Sequence, residues 1–192
     1  GELSFDVGAG TQDLAGRNAV ALLFAARASA TLVFGVRDTD GKRKIAVRRL
    51  DSDAVQVLPG TEEGDSPFWS PDGHSIAFAQ VVGLKKMDLQ GGSITTVAQG
   101  PRSLRGGAWN AEGVILIAQP PGPILRVSAN GGSTPVPVTP ASVAGSRSPQ
   151  FLPDQKHFLY VEPRSQPPFP VYVGSLDEPG QQGKQIAEVD AG

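Results

Sequence analysis

The 192-residue sequence predicts an all-β fold, a β-propeller of about four four-stranded antiparallel blades. Two observations predict it. The phrase Pro67-Phe68-Trp69-Ser70-Pro71-Asp72-Gly73 returns in altered form as Gly107-Ala108-Trp109-Asn110-Ala111-Glu112-Gly113 and as Pro149-Gln150-Phe151-Leu152-Pro153-Asp154-Gln155. Its aromatic anchors, Trp69, Trp109 and Phe151, lie 40 and then 42 residues apart (69 to 109 to 151), a period typical of propeller blades. The second observation is punctuation: 24 glycines and 17 prolines fall at regular positions and not in one tract, which signals many tight turns and not disorder.

The clearest unit, 64–100, shows how the strands arise. Phe68 and Trp69 end a first strand, and Ser70-Pro71-Asp72-Gly73 places Ser, Pro and Gly where a type I turn prefers them. Ile76 and Phe78 then alternate with Ser75 and Ala77, as in a strand with one buried large-residue face. After a break near Gly83 comes a third strand with Leu84, Met87 and Leu89, then Gly91-Gly92 as a two-residue hairpin signal, then a fourth strand over Ile94 to Val97. Unit 103–140 repeats the plan with Trp109, Ile115 and Ile117, a strand at Ile124 to Val127, and a turn at Asn130-Gly131-Gly132 before Val136 and Val138. Unit 147–190 supplies Phe151, Phe158 and Tyr160, then Val171-Tyr172-Val173 and Leu176, with Gln155 where the turn glycine stood. Unit 19–60 lacks the phrase but keeps the periodicity, through Leu22-Leu23-Phe24, Leu32-Val33-Phe34, an Asp40-Gly41 turn, and Ile45, Val47 and Leu50. Leu3, Phe5 and Val7 read as an extra strand over 2–8 that closes a ring by pairing terminal strands. Residues 1–192 thus form one propeller domain, or part of a larger ring whose incomplete edges can self-associate.

Composition narrows the function. Seventeen basic against 19 acidic residues give a net charge of −2, no field for a nucleic acid or an anionic membrane. Cysteine is absent, which removes disulfides, thiolate catalysis and Cys-ligated zinc together. The longest apolar run, Ala19 to Ala26, is too short to span a bilayer, so no membrane contact is expected of this chain. The start, Gly1-Glu2-Leu3-Ser4-Phe5, lacks the form of a signal peptide, as expected of a cytoplasmic protein or of an excised piece.

Ser70-Pro71-Asp72-Gly73 between Trp69 and Ile76-Ala77-Phe78, with Asp88-Leu89-Gln90-Gly91-Gly92 beyond, resembles the TolB-like (PD40, WD40-like) β-propeller repeat. Leu58-Pro59-Gly60-Thr61-Glu62 before Ser66-Pro67-Phe68, and the phrase at 149–154, are similar to propeller segments attached to bacterial serine/threonine protein kinases. The resemblance covers nearly the whole chain, most closely 64–140, with departures at Asn110-Ala111-Glu112 and Gln155. It implies a non-catalytic, protein-binding or sensory module, often periplasmic or otherwise extracytoplasmic, that takes a protein, a peptide or a cell-envelope ligand and needs no cofactor. The alternative reading is the propeller portion of an enzyme, a peptidase gating domain or a polysaccharide-lyase-like propeller.

Blade connectivity sorts the loops. With strands running a to d, the a–b and c–d turns share one end and the b–c and d–a loops share the other. The stereotyped turns therefore occupy one face and the irregular loops the opposite one, where binding is usually built. Arg102, Arg105, Arg147 and Phe169 are the expected contacts there. Other groups read as structural. Glu62, Glu63 and Asp65 lack calcium-loop spacing, so no metal site is assigned to them. Lys42-Arg43-Lys44 with Arg48-Arg49 reads as a solvated outer edge. Asp72, Glu112 and Asp154 recur at one turn position and read as backbone caps, and Trp69, Trp109 and Phe151 as core. His74 and His157 fall by the stereotyped turns of different units. With no Gly-x-Ser-x-Gly elbow, no hydrolase triad and no catalytic residue is assigned. Gly8-Ala9-Gly10 lacks the third glycine of a nucleotide loop.

Overall fold

The computed structural model describes residues 24–25, 30–37, 41–100, 103–141 and 145–190. The strand expected at 2–8, Leu22 and Leu23, and Arg102 lie outside the described residues. Sixteen strands are described, grouped into four four-stranded antiparallel sheets whose order follows the chain. The first blade holds β1 (Phe24–Ala25), β2 (Thr31–Arg37), β3 (Arg43–Arg49) and β4 (Val55–Val57). The second holds β5 (Asp65–Trp69), β6 (Ser75–Gln80), β7 (Gly83–Asp88) and β8 (Ile94–Gln99). The third holds β9 (Gly107–Trp109), β10 (Val114–Ala118), β11 (Ile124–Ser128) and β12 (Val136–Pro137). The fourth holds β13 (Arg147–Phe151), β14 (His157–Val161), β15 (Phe169–Ser175) and β16 (Lys184–Val189). First strands of successive blades touch one another, β1 with β5, β5 with β9 and β9 with β13. The first strands therefore line the axis and the fourth strands lie outermost.

The core lies between blades. Val33 and Ile45 of the first blade meet Ile76, Phe78 and Met87 of the second. Phe68, Ala77, Ala79 and Leu84 meet Ile115, Ile117 and Val127 of the third. Leu116, Ala118, Ile124 and Val138 meet Phe158 and Tyr160 of the fourth. Each blade turns large residues toward the preceding blade and, in β6, alanines toward the next. The large-residue face expected on β6, Ile76 and Phe78, is fully buried, and Ala77 and Ala79 on the opposite face are as buried, because the third blade's isoleucines cover them. Backbone spacing is equally tight, since a Cβ on Gly107 would lie 2.2 Å from Cε1 of Phe68. Burial pushes the Tyr160 hydroxyl up to about 12, and that hydroxyl accepts from the Gly183 N–H at 3.1 Å.

The fourth blade breaks the pattern on its far side. The pairs Ala79–Leu84 and Ala118–Ile124 are fully buried by the blade that follows. Their counterparts in the fourth blade, Val161–Val171, are only half-buried, as are Leu159 and Val173 beside them.

Three local expectations change. Gly91-Gly92 does not form a two-residue turn: Asp88 N–H reaches Ser93 C=O at 3.0 Å, so the loop holds four residues, and Asp88 Oδ1 accepts from Gln90 and Gly91 N–H at 2.8 and 2.6 Å. The break near Gly83 is itself a two-residue hairpin, Val81-Val82, with Gln80 paired to Gly83. The basic cluster is not an outer edge, because β4 covers β3. Arg48 and Arg49 pair with Asp53 and Asp51, and Arg43 reaches across to the second blade.

Candidate binding face

The two ends of the blades use their polar groups differently. At the a–b turns, carboxylates, hydroxyls and amides are consumed by the backbone. Asp72 Oδ1 accepts from Ser70 Oγ at 2.6 Å and from His74 N–H at 2.9 Å, and these bonds hold its carboxyl below the usual range. Asp154 Oδ1 accepts from the N–H groups of His157 and Lys156, and with the His157 ring bond its carboxyl falls to about 2. In the third blade Glu112 does not cap, contrary to expectation. Asn110 does, its Oδ1 accepting from Glu112 and Val114 N–H at 3.1 and 2.8 Å, because it is the residue whose short side chain faces those amides. Gln155 takes the glycine's left-handed backbone (φ 64°, against 72° at Gly73). Its oxygens also stitch the third and fourth blades, accepting from Asn110 Nδ2 and Ala111 N–H at 2.8 and 2.9 Å. His74 and His157 lie on this end, in separate blades, each beside its own turn aspartate. A polar cleft of about 390 Å³ between the second and third blades is lined by Lys86, Asp88, Thr95 and Asn130. Lys86 Nζ donates there to Ala129 C=O at 3.0 Å.

The other end is built from b–c and d–a loops anchored by two buried threonines. Ile45 gives its C=O to Leu58 N–H at 2.9 Å and its N–H to Thr61 Oγ1 at 3.0 Å. Ile124 does the same with Val138 N–H and Thr139 Oγ1, both at 2.9 Å. Each threonine therefore ends the c–d ladder as the chain leaves for the next blade. The chain then enters the inner strand through a left-handed residue at three equivalent positions: Ser66 (φ 51°), Gly106 (φ 114°) and Ser148 (φ 53°). Register shifts follow in β5 and β13. Adjacent blades are tied here, Ser66 Oγ to Leu104 C=O at 3.0 Å and Ser148 N–H to Arg105 C=O at 2.7 Å.

The residue before each left-handed position is charged: Asp65, Arg105 and Arg147. Asp65 is neutralised by Arg43, at 3.1 Å, whose Nε also lies 3.8 Å from Glu63. That guanidinium takes up two of the three carboxylates considered for a metal, and among the described residues no group of three or more metal-ligating side chains occurs. Arg105 is exposed and Arg147 half-buried. The Arg147 guanidinium stacks 4.7 Å from the centre of the Phe169 ring. Of the four residues expected to act together, the structure brings Arg147 onto Phe169 and ties the Arg105 backbone to the residue after Arg147. Sequence reasoning missed Val81 and Val82, 58% and 59% exposed at a hairpin tip on this same end. They border a shallow cleft of about 430 Å³ with Thr96 and Gln99. Two β-branched apolar residues before a glycine were the available signal.

No protein-family model matches the chain, and no curated protein does. Solved structures do match. A TolB-type protein of Agrobacterium tumefaciens superposes with a TM-score of 0.70 at 18% identity, over 83% of this chain and 61% of that one. The fold is a TolB-like β-propeller. A chain of the nidogen/laminin complex matches the propeller at TM-score 0.65 and 11% identity, over 88% of this chain and 62% of that one. A puromycin hydrolase matches it at TM-score 0.63 and 14% identity, over 88% of this chain and 29% of that one. The propeller thus spans about 61% of the length of the TolB-type chain.

Proposed function

We propose that this chain is a non-catalytic binding module that takes a protein or peptide partner on its b–c/d–a end. The observation that carries the reading is the contrast between the two ends. Turn carboxylates on one end are committed to capping, whereas the other end presents Val81-Val82 to solvent and two arginines without a carboxylate partner among the described residues. Arginine and aromatic residues are enriched at interface centres, and an exposed apolar tip on the same end of the propeller suits a partner surface. The nidogen/laminin match supports the reading, since that fold neighbour was solved in a protein complex. A sensor segment of a bacterial serine/threonine kinase, facing a cell-envelope ligand, is the finer form of the same proposal. A second reading, the propeller part of a larger hydrolase, is favoured by the match to 29% of the puromycin hydrolase chain.

The test is selection of a random peptide library on the immobilised chain, with counter-screening on two variants. Peptides enriched on the native chain should lose binding to Val81→Asp/Val82→Asp and retain it on Gln90→Ala, which lies on the opposite end. No enrichment, or enrichment sensitive only to Gln90, overturns the proposal. Release of product from peptide substrates by the purified chain would replace it with the enzyme reading.

A further inference from the structure

The irregular end is electrostatically divided. In the first and second blades its carboxylates Glu63 and Asp65 are met by Arg43. Around the third and fourth blades the loops 100–106, 119–123 and 139–147 carry three arginines and no carboxylate, and Glu162, which opens the b–c loop of the fourth blade, accepts from Gln182 Nε2 at 2.8 Å. Glu188, on the outermost strand β16, is engaged by Arg164 at 3.7 Å. Arg105 and Arg147, brought near one another by the Ser148 N–H to Arg105 C=O bond, therefore have no acidic neighbour in those loops, although the molecule as a whole is negative.

Arg147 is also prepared. Its guanidinium is laid on Phe169, which fixes the plane of the donor fork at one side. Its Nε is buried and has no hydrogen-bond partner among the described residues, and neither has the Oγ of the adjacent Ser146, a residue 0% exposed. Buried donors are nearly always satisfied, and an unmet one costs about 1–3 kcal/mol, so two in consecutive residues point to a role other than stabilising the fold. A half-buried guanidinium with one face covered and no internal anion is poised for a planar acceptor that forks onto its remaining N–H groups.

We propose that Arg105 and Arg147, with Phe169 as the platform, form a carboxylate-binding site for acidic groups of the peptide partner. The inference rests on the binding-module reading and names its chemistry. Two sources can supply the group, a Glu or Asp side chain or a chain-terminal carboxylate. Because the net charge is −2, recognition is local, and it does not extend to polyanions in general.

The experiment is fluorescence anisotropy with four labelled decapeptides: alternating Glu-Gly ending in an amide, its Gln-Gly counterpart, decaglycine with a free carboxyl terminus, and decaglycine amide. The Glu-Gly peptide should bind at least about tenfold more tightly than Gln-Gly, the scale of a charge-assisted hydrogen bond. If the terminal group is the true ligand, free decaglycine will instead exceed its amide by that factor. Arg147→Gln and Arg105→Gln should each lower affinity about tenfold, Arg147→Lys should restore only part of it, and Arg49→Gln, on the first blade, should leave it unchanged. Melting curves of each variant accompany the titrations. Arg105 is exposed, so its variant keeps the test decisive if Arg147→Gln unfolds. Equal binding of all four peptides, or equal loss in Arg49→Gln, overturns the carboxylate site. If library peptides still bind through Val81-Val82 in that case, the module reading survives and only the chemistry assigned to the arginines falls.

Discussion

Replacing Thr61 by valine tests how the blades are joined. The side chain is 0% exposed, and its hydroxyl donates to Leu58 C=O at 2.6 Å while accepting from Ile45 N–H at 3.0 Å. Valine keeps the shape and deletes both bonds, which strands a backbone N–H in the core. A buried donor without a partner costs about 1–3 kcal/mol. Taking about 2 kcal/mol, and a fall of about 2–4 °C per kcal/mol for a chain of this size, the melting temperature should drop by about 4–8 °C. Thr61→Ser keeps the hydroxyl and removes one buried methyl, worth about 0.8 kcal/mol, so serine should be the milder change. Thr139→Val should mirror Thr61→Val, because Thr139 Oγ1 receives Ile124 N–H in the same geometry. Thermal unfolding followed by circular dichroism measures all three. If Thr61→Val melts with the native chain, or Thr61→Ser is the more damaging, the hydroxyl is not the latch and the reasoning fails.

Two further expectations follow from the turns and the last blade. The Asp154 carboxyl sits at about 2, below its ordinary 3.8, because the N–H and ring of His157 and the N–H of Lys156 favour the anion. A depressed carboxylate contributes stability that is fully present above the ordinary value and lost as pH falls through about 2, so the turn should persist at pH 3. A side-chain carboxyl NMR titration with a midpoint near 3.8 would contradict the cap. On the fourth blade, Leu159, Val161, Val171 and Val173 form a half-buried apolar face at positions that the next blade covers elsewhere. A second copy, offering its first blade with Leu32 and Phe34, is the expected cover, in a head-to-tail contact. Light scattering should show mass rising with concentration, and Val161→Lys with Val171→Lys should suppress the rise. A constant monomer mass in the native chain refutes it.

Much of the fold was legible because its signals are local. The turn at 70–73 needs Ser, Pro, Asp and Gly in that order, and strands such as β6 and β10 announce themselves through runs of Ile, Leu, Ala and Phe. What misled local reading was a shared role moved to another residue. Asn110 caps where Glu112 was expected, since capping depends on which oxygen reaches the amides and not on which residue aligns. Val81-Val82 was invisible as a hairpin because valine carries no turn preference, and the tip exists only because β6 and β7 are paired on both sides.

The candidate site divides the same way. The repeat, the four blades, and the sorting of loops into a repeating and an irregular end are written in the residues alone, because strand alternation and turn chemistry follow from neighbours along the chain. Tertiary packing alone carries Arg43 across a blade to neutralise Asp65, lays Arg147 on Phe169, and ties the Arg105 carbonyl to the N–H of the residue after Arg147. Those facts depend on how far each blade sits from the next. That spacing is set by the fit of Phe68 against Gly107, and of Ile115 and Ile117 against Ala77 and Ala79, across a gap that spans tens of residues in sequence.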